Sequence, residues 1–273
     1  MDSNTKARYD QLKKNLKLYG QTAIAFSGGL SSAFLLRTAQ NVLGTENVLA
    51  ITSLSRAVPE QERLRSQALI KNWKINQVFV ESEFWKDAQR HNSTRCKSCR
   101  EDMYEKITKT AIARGYDLVL DGGTADDPIC NADVNGTFAM LVKPLAQAGL
   151  TKEHLREISR FEGLLIYDIP ENSCLISRFG HNREIKAVDL ERVDRAETIL
   201  RNLGFNQVRV RDHGEVARIE IEFEEWERFN DKKLRDLVYI GLKKLGYTHS
   251  TLDIKGYRPG SMDESDHSPS EKA

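Results

Sequence analysis

Residues 23–32 read AIAFSGGLSS, and the rest of the chain is organised around how that stretch folds. Ala23-Ile24-Ala25-Phe26 is an apolar run of strand length, Ser27-Gly28-Gly29 breaks it, and Ser31-Ser32-Ala33-Phe34-Leu35-Leu36-Arg37 opens a helical pattern. Adjacent glycines let the backbone turn several N–H groups toward one anion, and a helix start adds unpaired donors and the positive end of its dipole. The natural guest of such a turn is a phosphate. The alternative is an ordinary strand-to-helix turn with a serine cap.

Working outward, strand-like runs alternate with amphipathic helices. The strands are TAIAF around Ile24, NVLAIT around Leu49, QVFV around Phe79 and DLVLD ending at Asp121. Between them the pattern predicts helices running to Leu43, from Pro59 to Trp73 and from about Glu101 to Arg114. That alternation predicts an α/β fold with an open parallel sheet and right-handed crossovers. Ligands of such sheets bind beyond the carboxyl ends of the strands, where Phe26-Ser27-Gly28, Thr52-Ser53 and Asp121-Gly122-Gly123 would converge. From Lys143 a loop leads to a helix capped by Thr151, and LLIYDIPENSCLISRFG reads as a strand entering a polar loop. A helix over about Val188–Leu203, strands QVRVR and VARIEIE, a helix over about Asp231–Leu245 and a strand around Thr251–Ile254 follow. This βαββαβ-like order predicts a smaller C-terminal α+β domain with an antiparallel sheet. The expected division is residues 1–180, 181–262 and a disordered tail 263–273, with the boundary between Ser177 and Ala187.

The formal charge is +1 over 273 residues with both signs interspersed, which gives no global field toward nucleic acid or membrane. The N-terminal segment is a polar amphipathic helix without a signal core, and no apolar run is long enough for a bilayer, so a cytoplasmic protein is expected. The four cysteines, Cys96, Cys99, Cys130 and Cys174, are too few for a disulfide scaffold, and a close pair points to metal or redox work.

The glycine turn has neither the lysine of a Walker A loop nor the third glycine of a dinucleotide fingerprint. It resembles the SGGxDS loop of the PP-loop ATP pyrophosphatase superfamily, of adenine nucleotide alpha hydrolase-like fold, with Ser31 where that family has aspartate. TSLSRAVPEQE, NSTRCKSCREDMY, DGGTADD, KPLAQAGLTKEHLREI, SCLISRFG, LGFNQVRVRDHGEVARIEI and GYRPGSM are similar, in order and over nearly the whole chain, to LarE-type pyridinium-3,5-biscarboxylic acid mononucleotide sulfurtransferases. The resemblance implies an enzyme of nickel-pincer cofactor biosynthesis that uses ATP and Mg2+ to adenylylate a carboxylate of a pyridinium mononucleotide, releases pyrophosphate and inserts sulfur. It places the nucleotide on Ser27, Gly28, Gly29, Ser31, Ser32, Thr52, Ser53 and Gly122. Asp126 and Asp127 would take Mg2+ or a ribose hydroxyl, or would serve as caps.

The resemblance makes Cys174 the reactive thiol, with Ser177 and Arg178 placed to position a substrate carboxylate. Arg178, Arg209 and Arg211 match the family's anion-binding positions, and alternation along a strand puts Arg209 and Arg211 on one face. In one subgroup of the family, Cys96 and Cys99 join the distal cysteine to hold a four-iron four-sulfur cluster (4Fe-4S), a ligand set of soft thiolates that suits such an assembly. Zinc completed by His91 or His181, or a simple redox pair, are the alternatives. Sulfur would come from free sulfide, a cysteine desulfurase or Cys174 itself, and the family implies a homo-oligomer built through the smaller domain. Cys130 has no counterpart and reads as a loop cysteine; the segment around it lacks the arginine and proline of the family's pocket-shaping Tyr-Arg-Pro-Gly. Two competing readings are a tRNA thiolase, which lacks support from any basic appended domain, and a nucleotide- or sulfur-carrying protein without adenylylation.

Overall fold

Strand β1 (Thr22–Ala25) lies at the centre of a five-stranded sheet ordered β3 (Asn76–Glu81), β2 (Val48–Leu54), β1, β4 (Val119–Leu120), β5 (Leu141–Val142), with every pairing parallel. The computed structural model describes residues 1–83, 95–127, 141–170, 173–181 and 183–262. Cys130, His91 and the tail 263–273, about which the sequence raised expectations, lie outside the described residues. Residues 1–55, 60–83, 96–127 and 141–170 form one compact unit, and residues 56–59, 173–181 and 183–262 form a second.

In the first unit, period-2 alternation sends neighbouring side chains to opposite faces, and both faces are covered, as parallel sheets require. Ile24, Val48, Ala50 and Leu120 pack with Phe34, Leu35 and Leu36 of α2 (Leu30–Leu43) and with Leu12 and Leu16 of α1 (Ser3–Tyr19). Ala23, Leu49, Ile51 and Val119 pack on the other side with Ile107 and Ala111 of α4 (Arg95–Ala113). Helix α3 (Glu60–Trp73) joins β2 to β3, and α4 joins β3 to β4. Helix α4 begins before the expected Glu101, so Cys96 and Cys99 lie within its first five residues. The short α5 (Pro144–Gln147) starts on a proline, and α6 (Lys152–Phe161) starts on the expected cap, Thr151. The strand order changes direction between β1 and β4, and a crevice forms at such a switch point beyond the strand ends.

One expected strand is absent. Leu165–Asp168 of the LLIYDI segment winds into a 3₁₀ turn, because the guanidinium of Arg156 bonds the carbonyls of Tyr167 and Ile169 and leaves no ladder to join.

The second unit carries the 3₁₀ turn Leu175–Arg178, α7 (Ala187–Asn202), the hairpin β6 (Val208–His213) and β7 (Val216–Ile221), α8 (Lys232–Lys244) and β8 (His249–Leu252). Its sheet is ordered β6-β7-β8 and is mixed, which corrects the expected antiparallel sheet: β6 and β7 run antiparallel, β7 and β8 parallel. The reason is connectivity, since β8 is reached through a 3₁₀ segment and α8, a crossover rather than a hairpin. The core gathers Leu200, Phe205, Val208, Val210, Ile219, Leu242 and Tyr247. Cys174, Ser177 and Arg178 go with this unit, ahead of the expected boundary, because Arg178 pairs with Glu197 of α7 and Phe179 bridges to Asp212 of β6.

Candidate functional site

The glycine turn is fixed by backbone geometry and by two serine hydroxyls. Gly28 has φ 80°, and a Cβ there would stand 2.7 Å from the Cβ of Ser66 on α3, so both conformation and space demand glycine. Ser32 accepts a hydrogen bond from Ser27 N at 3.2 Å and donates to Gly29 O at 3.2 Å, while Ser27 Oγ lies 3.0 Å from Ser32 Oγ and accepts from Gly29 N at 3.2 Å. Gly29 caps α2 with no side-chain oxygen, and the first N–H groups of a helix have no acceptor inside it. Ser31 is half-buried in that first turn and Ser27 is exposed ahead of it.

The neighbouring strand ends close in on this turn. Gly122 follows β4, and a Cβ on it would lie 2.9 Å from Ser32 N, so its bareness lets the strand end touch the start of α2. Asp121 is held by Tyr104 OH at 2.6 Å and Gly123 N at 2.9 Å. Thr52 is buried, donating to Phe26 O at 2.7 Å and accepting from Gln77 Nε2 at 2.8 Å, so its hydroxyl ties β1, β2 and β3 together; Ser53 follows it half-buried. Asp126 is exposed and accepts from Lys152 N at 3.2 and 3.3 Å, adding a carboxylate to the start of α6 beside Thr151. Ser66, Gln77 and Tyr104 were not singled out from the sequence. A lone small residue in the charged run ERLRSQ was the one signal that could have marked Ser66.

In the second unit Cys174 is a free, exposed cysteine at the head of the 3₁₀ turn. Leu175 N donates to Ala57 O at 2.7 Å, and Ser177 Oγ donates to Cys174 O at 2.9 Å. Arg178 is 0% exposed and faces inward. Its Nε and Nη2 meet the two carboxylate oxygens of Glu197 at 2.8 and 3.1 Å, and its Nη1 reaches Ser173 O at 2.8 Å and Cys174 O at 3.1 Å. Burial pushes the Glu197 carboxyl up, but Arg178, Arg201 and Arg209 pull it further down, to about 2.

Arg209 and Arg211 share a face of β6 and are also buried, at 2% and 4% exposure. Arg211 meets Glu220 Oε2 through Nε and Nη2 at 3.0 and 2.7 Å and donates through Nη1 to Ser177 O at 3.1 Å. Arg209 donates to Val208 O at 2.8 Å and lies 5.2 Å from the Tyr257 ring centre. Burial and the neighbouring Arg178 lower its pKa to about 10. Three guanidiniums thus crowd Glu197, and one of them, Arg178, also reaches the Cys174 turn.

Cys96 and Cys99 are exposed near the start of α4, form no disulfide, and lie three residues apart and so on one face. They belong to the first unit and Cys174 to the second. Among the described residues no three His, Cys, Asp or Glu side chains come together as a metal-holding group. The donor chemistry itself, three cysteine thiols outside any disulfide, suits a soft metal or an iron–sulfur assembly. His181, half-buried, lies in the second unit. No helix among the described residues is long and apolar enough to cross a membrane.

No protein-family model matches the chain. An uncharacterized protein of Synechocystis is 33% identical over 265 residues, covering 94% of this chain and 97% of the relative. The pyridinium-3,5-bisthiocarboxylic acid mononucleotide synthase of Lactiplantibacillus plantarum is 29% identical over 259 residues, 91% of each chain. An uncharacterized protein of Methanocaldococcus jannaschii is 28% identical over 261 residues, 91% of this chain and 96% of its own.

Proposed function

Since the chain belongs to the LarE-type sulfurtransferase family, we propose that it activates a carboxylate of a pyridinium mononucleotide with ATP and replaces the activated oxygen by sulfur. The observation that carries this reading is the glycine turn at the switch point of the sheet, followed by an uncapped helix start, which suits a triphosphate. The carboxylate oxygen of the substrate attacks the α-phosphorus, the bond to the β-phosphate oxygen breaks, and pyrophosphate leaves with Mg2+. A sulfur nucleophile then attacks the acyl carbon and displaces AMP. A thiolate or sulfide is softer and more nucleophilic than water, which favours sulfur over hydrolysis.

Ser27, Gly28, Gly29, Ser31 and Ser32 hold the phosphates, and Gly122 lets β4 approach them. Thr52 acts through the backbone it ties, Ser53 borders the nucleotide, and Asp126 faces solvent at the head of α6. Cys174 handles the sulfur. Cys96, Cys99 and Cys174 would hold a four-iron four-sulfur cluster, which when bound supplies an exchangeable sulfide. Arg209 and Arg211 are the arginines assigned to the anionic mononucleotide, by the family's anion-binding positions. The protein acts in the cytoplasm as a homo-oligomer, with a sulfide source or a cysteine desulfurase as its partner.

The test is an assay of purified protein with ATP, Mg2+, sulfide and the pyridinium-3,5-biscarboxylic acid mononucleotide. Substrate-dependent pyrophosphate and a product heavier by the oxygen-to-sulfur exchange are expected. Pyrophosphate without sulfur uptake, or neither, would contradict the reading.

A further inference from the structure

Resting on Cys174 as the sulfur-handling thiol, we propose that Arg178 is a positioning residue for it, a buried fork anchored on Glu197 that clamps the turn carrying the cysteine. A single 3₁₀ turn is weak by itself, and Cys174 heads this one without a side-chain cap. Its orientation is therefore set by bonds from outside the turn. One edge of the Arg178 guanidinium is spent on Glu197, and Nη1 on the other side holds the carbonyls of Ser173 and Cys174 together with the hydroxyls of Ser173 and Ser177. Ser177 in turn donates to the Cys174 carbonyl, so the same oxygen is held twice.

At 0% exposure the Arg178 guanidinium is committed to Glu197 and the Cys174 turn, a different task from the substrate-carboxylate contact expected from the sequence. Buried ion pairs stabilise little more than an apolar pair of similar size, so stability alone does not account for one beneath an exposed cysteine. Attack on an acyl carbon is sensitive to placement, and a misplacement of about 1 Å costs on the order of a hundredfold. The clamp supplies that placement.

Arg178→Lys tests the clamp, because lysine keeps a charge beside Glu197 but lacks the planar fork. Arg228→Lys is the control for loss of an arginine fork elsewhere in the same unit: Arg228, partly exposed, spans Gly204 O at 2.7 Å and Leu203 O at 2.6 Å at the end of α7. Each full-length variant is compared with the parent by thermal melting, hydrogen exchange of the peptide covering 173–179, pyrophosphate release and sulfur incorporation. For Arg178→Lys, exchange in that peptide accelerates roughly tenfold, sulfur incorporation falls roughly thirtyfold, and KM for the mononucleotide and pyrophosphate release stay within about twofold. The control leaves the first two readouts within about twofold of the parent. Unchanged exchange, or sulfur incorporation falling equally in both variants, overturns the clamp. If the parent incorporates no sulfur, the functional reading falls instead and exchange alone decides the clamp. The neutral pair Arg178→Gln with Glu197→Gln carries the same readouts if the lysine variant does not fold.

Discussion

The carboxylate of Glu197 meets the guanidinium of Arg178 edge to edge, at 2.8 and 3.1 Å, and neither side chain reaches solvent. Its folded pKa of about 2 lies below the ordinary 4.5. A depressed carboxyl stabilises the fold above its unfolded pKa, and that stabilisation is lost as pH falls from about 4.5 through about 2. Denaturant melts across this window should show the parent losing about 3 kcal/mol. Glu197→Gln should start about 3 kcal/mol lower at neutral pH, with the buried arginines left uncompensated, and lose less on acidification. Parallel curves for the two proteins would remove Glu197 from the balance.

Gly28 and Gly29 should respond differently to alanine. Gly28→Ala forces a Cβ to 2.7 Å from that of Ser66 at φ 80°, whereas Gly29 has an ordinary φ of −77° and only Ser27 Oγ at 3.4 Å. Gly28→Ala should cost roughly 2–3 kcal/mol of stability and weaken ATP binding at least about tenfold. Gly29→Ala should cost under about 1 kcal/mol. Melting and calorimetric titration with ATP measure both, and equal effects would show that the turn is not held against α3 as described.

Ser31 lies in the first turn of α2, where a carboxylate favours the helix dipole but repels a triphosphate unless a cation intervenes. Ser31→Asp should therefore make ATP affinity depend on Mg2+, tighter by roughly tenfold with the ion and weaker than the parent in a chelator. Calorimetry at both conditions checks it. An affinity indifferent to Mg2+ would place the phosphates away from residue 31.

Anaerobically purified protein should be brown, and Cys96→Ser, Cys99→Ser and Cys174→Ser should each bleach the visible absorption and lower iron content. Cys174→Ser should also stop sulfur incorporation while pyrophosphate release continues, because activation requires no thiol. A colourless protein with stoichiometric zinc would exclude the cluster.

The parallel sheet was legible in the sequence because Ile24, Leu49, Phe79 and Leu120 sit in apolar runs separated by helices of crossover length, a pattern that local chemistry sets. The hairpin QVRVR–VARIEI was legible from alternation around a glycine. Strand β5, two residues long, gives no periodic signal, and the 3₁₀ turn at Leu165–Asp168 depends on Arg156, a residue of the preceding helix that pattern reading does not connect to it. The candidate site was legible where glycine imposes backbone geometry, at Gly28 and Gly122. It was not legible where a long-range partner decides which way a side chain turns. Nothing local shows that Arg178 points at Glu197, nineteen positions away, rather than toward a ligand.

The most direct measurement of the central claim is sulfur incorporation into the pyridinium mononucleotide, followed by mass spectrometry alongside pyrophosphate release. A product in which one carboxylate oxygen has become sulfur is predicted, formed with one pyrophosphate per sulfur and only when ATP is present. Sulfur uptake without ATP, or ATP cleavage with the mononucleotide returned unchanged, would contradict the account.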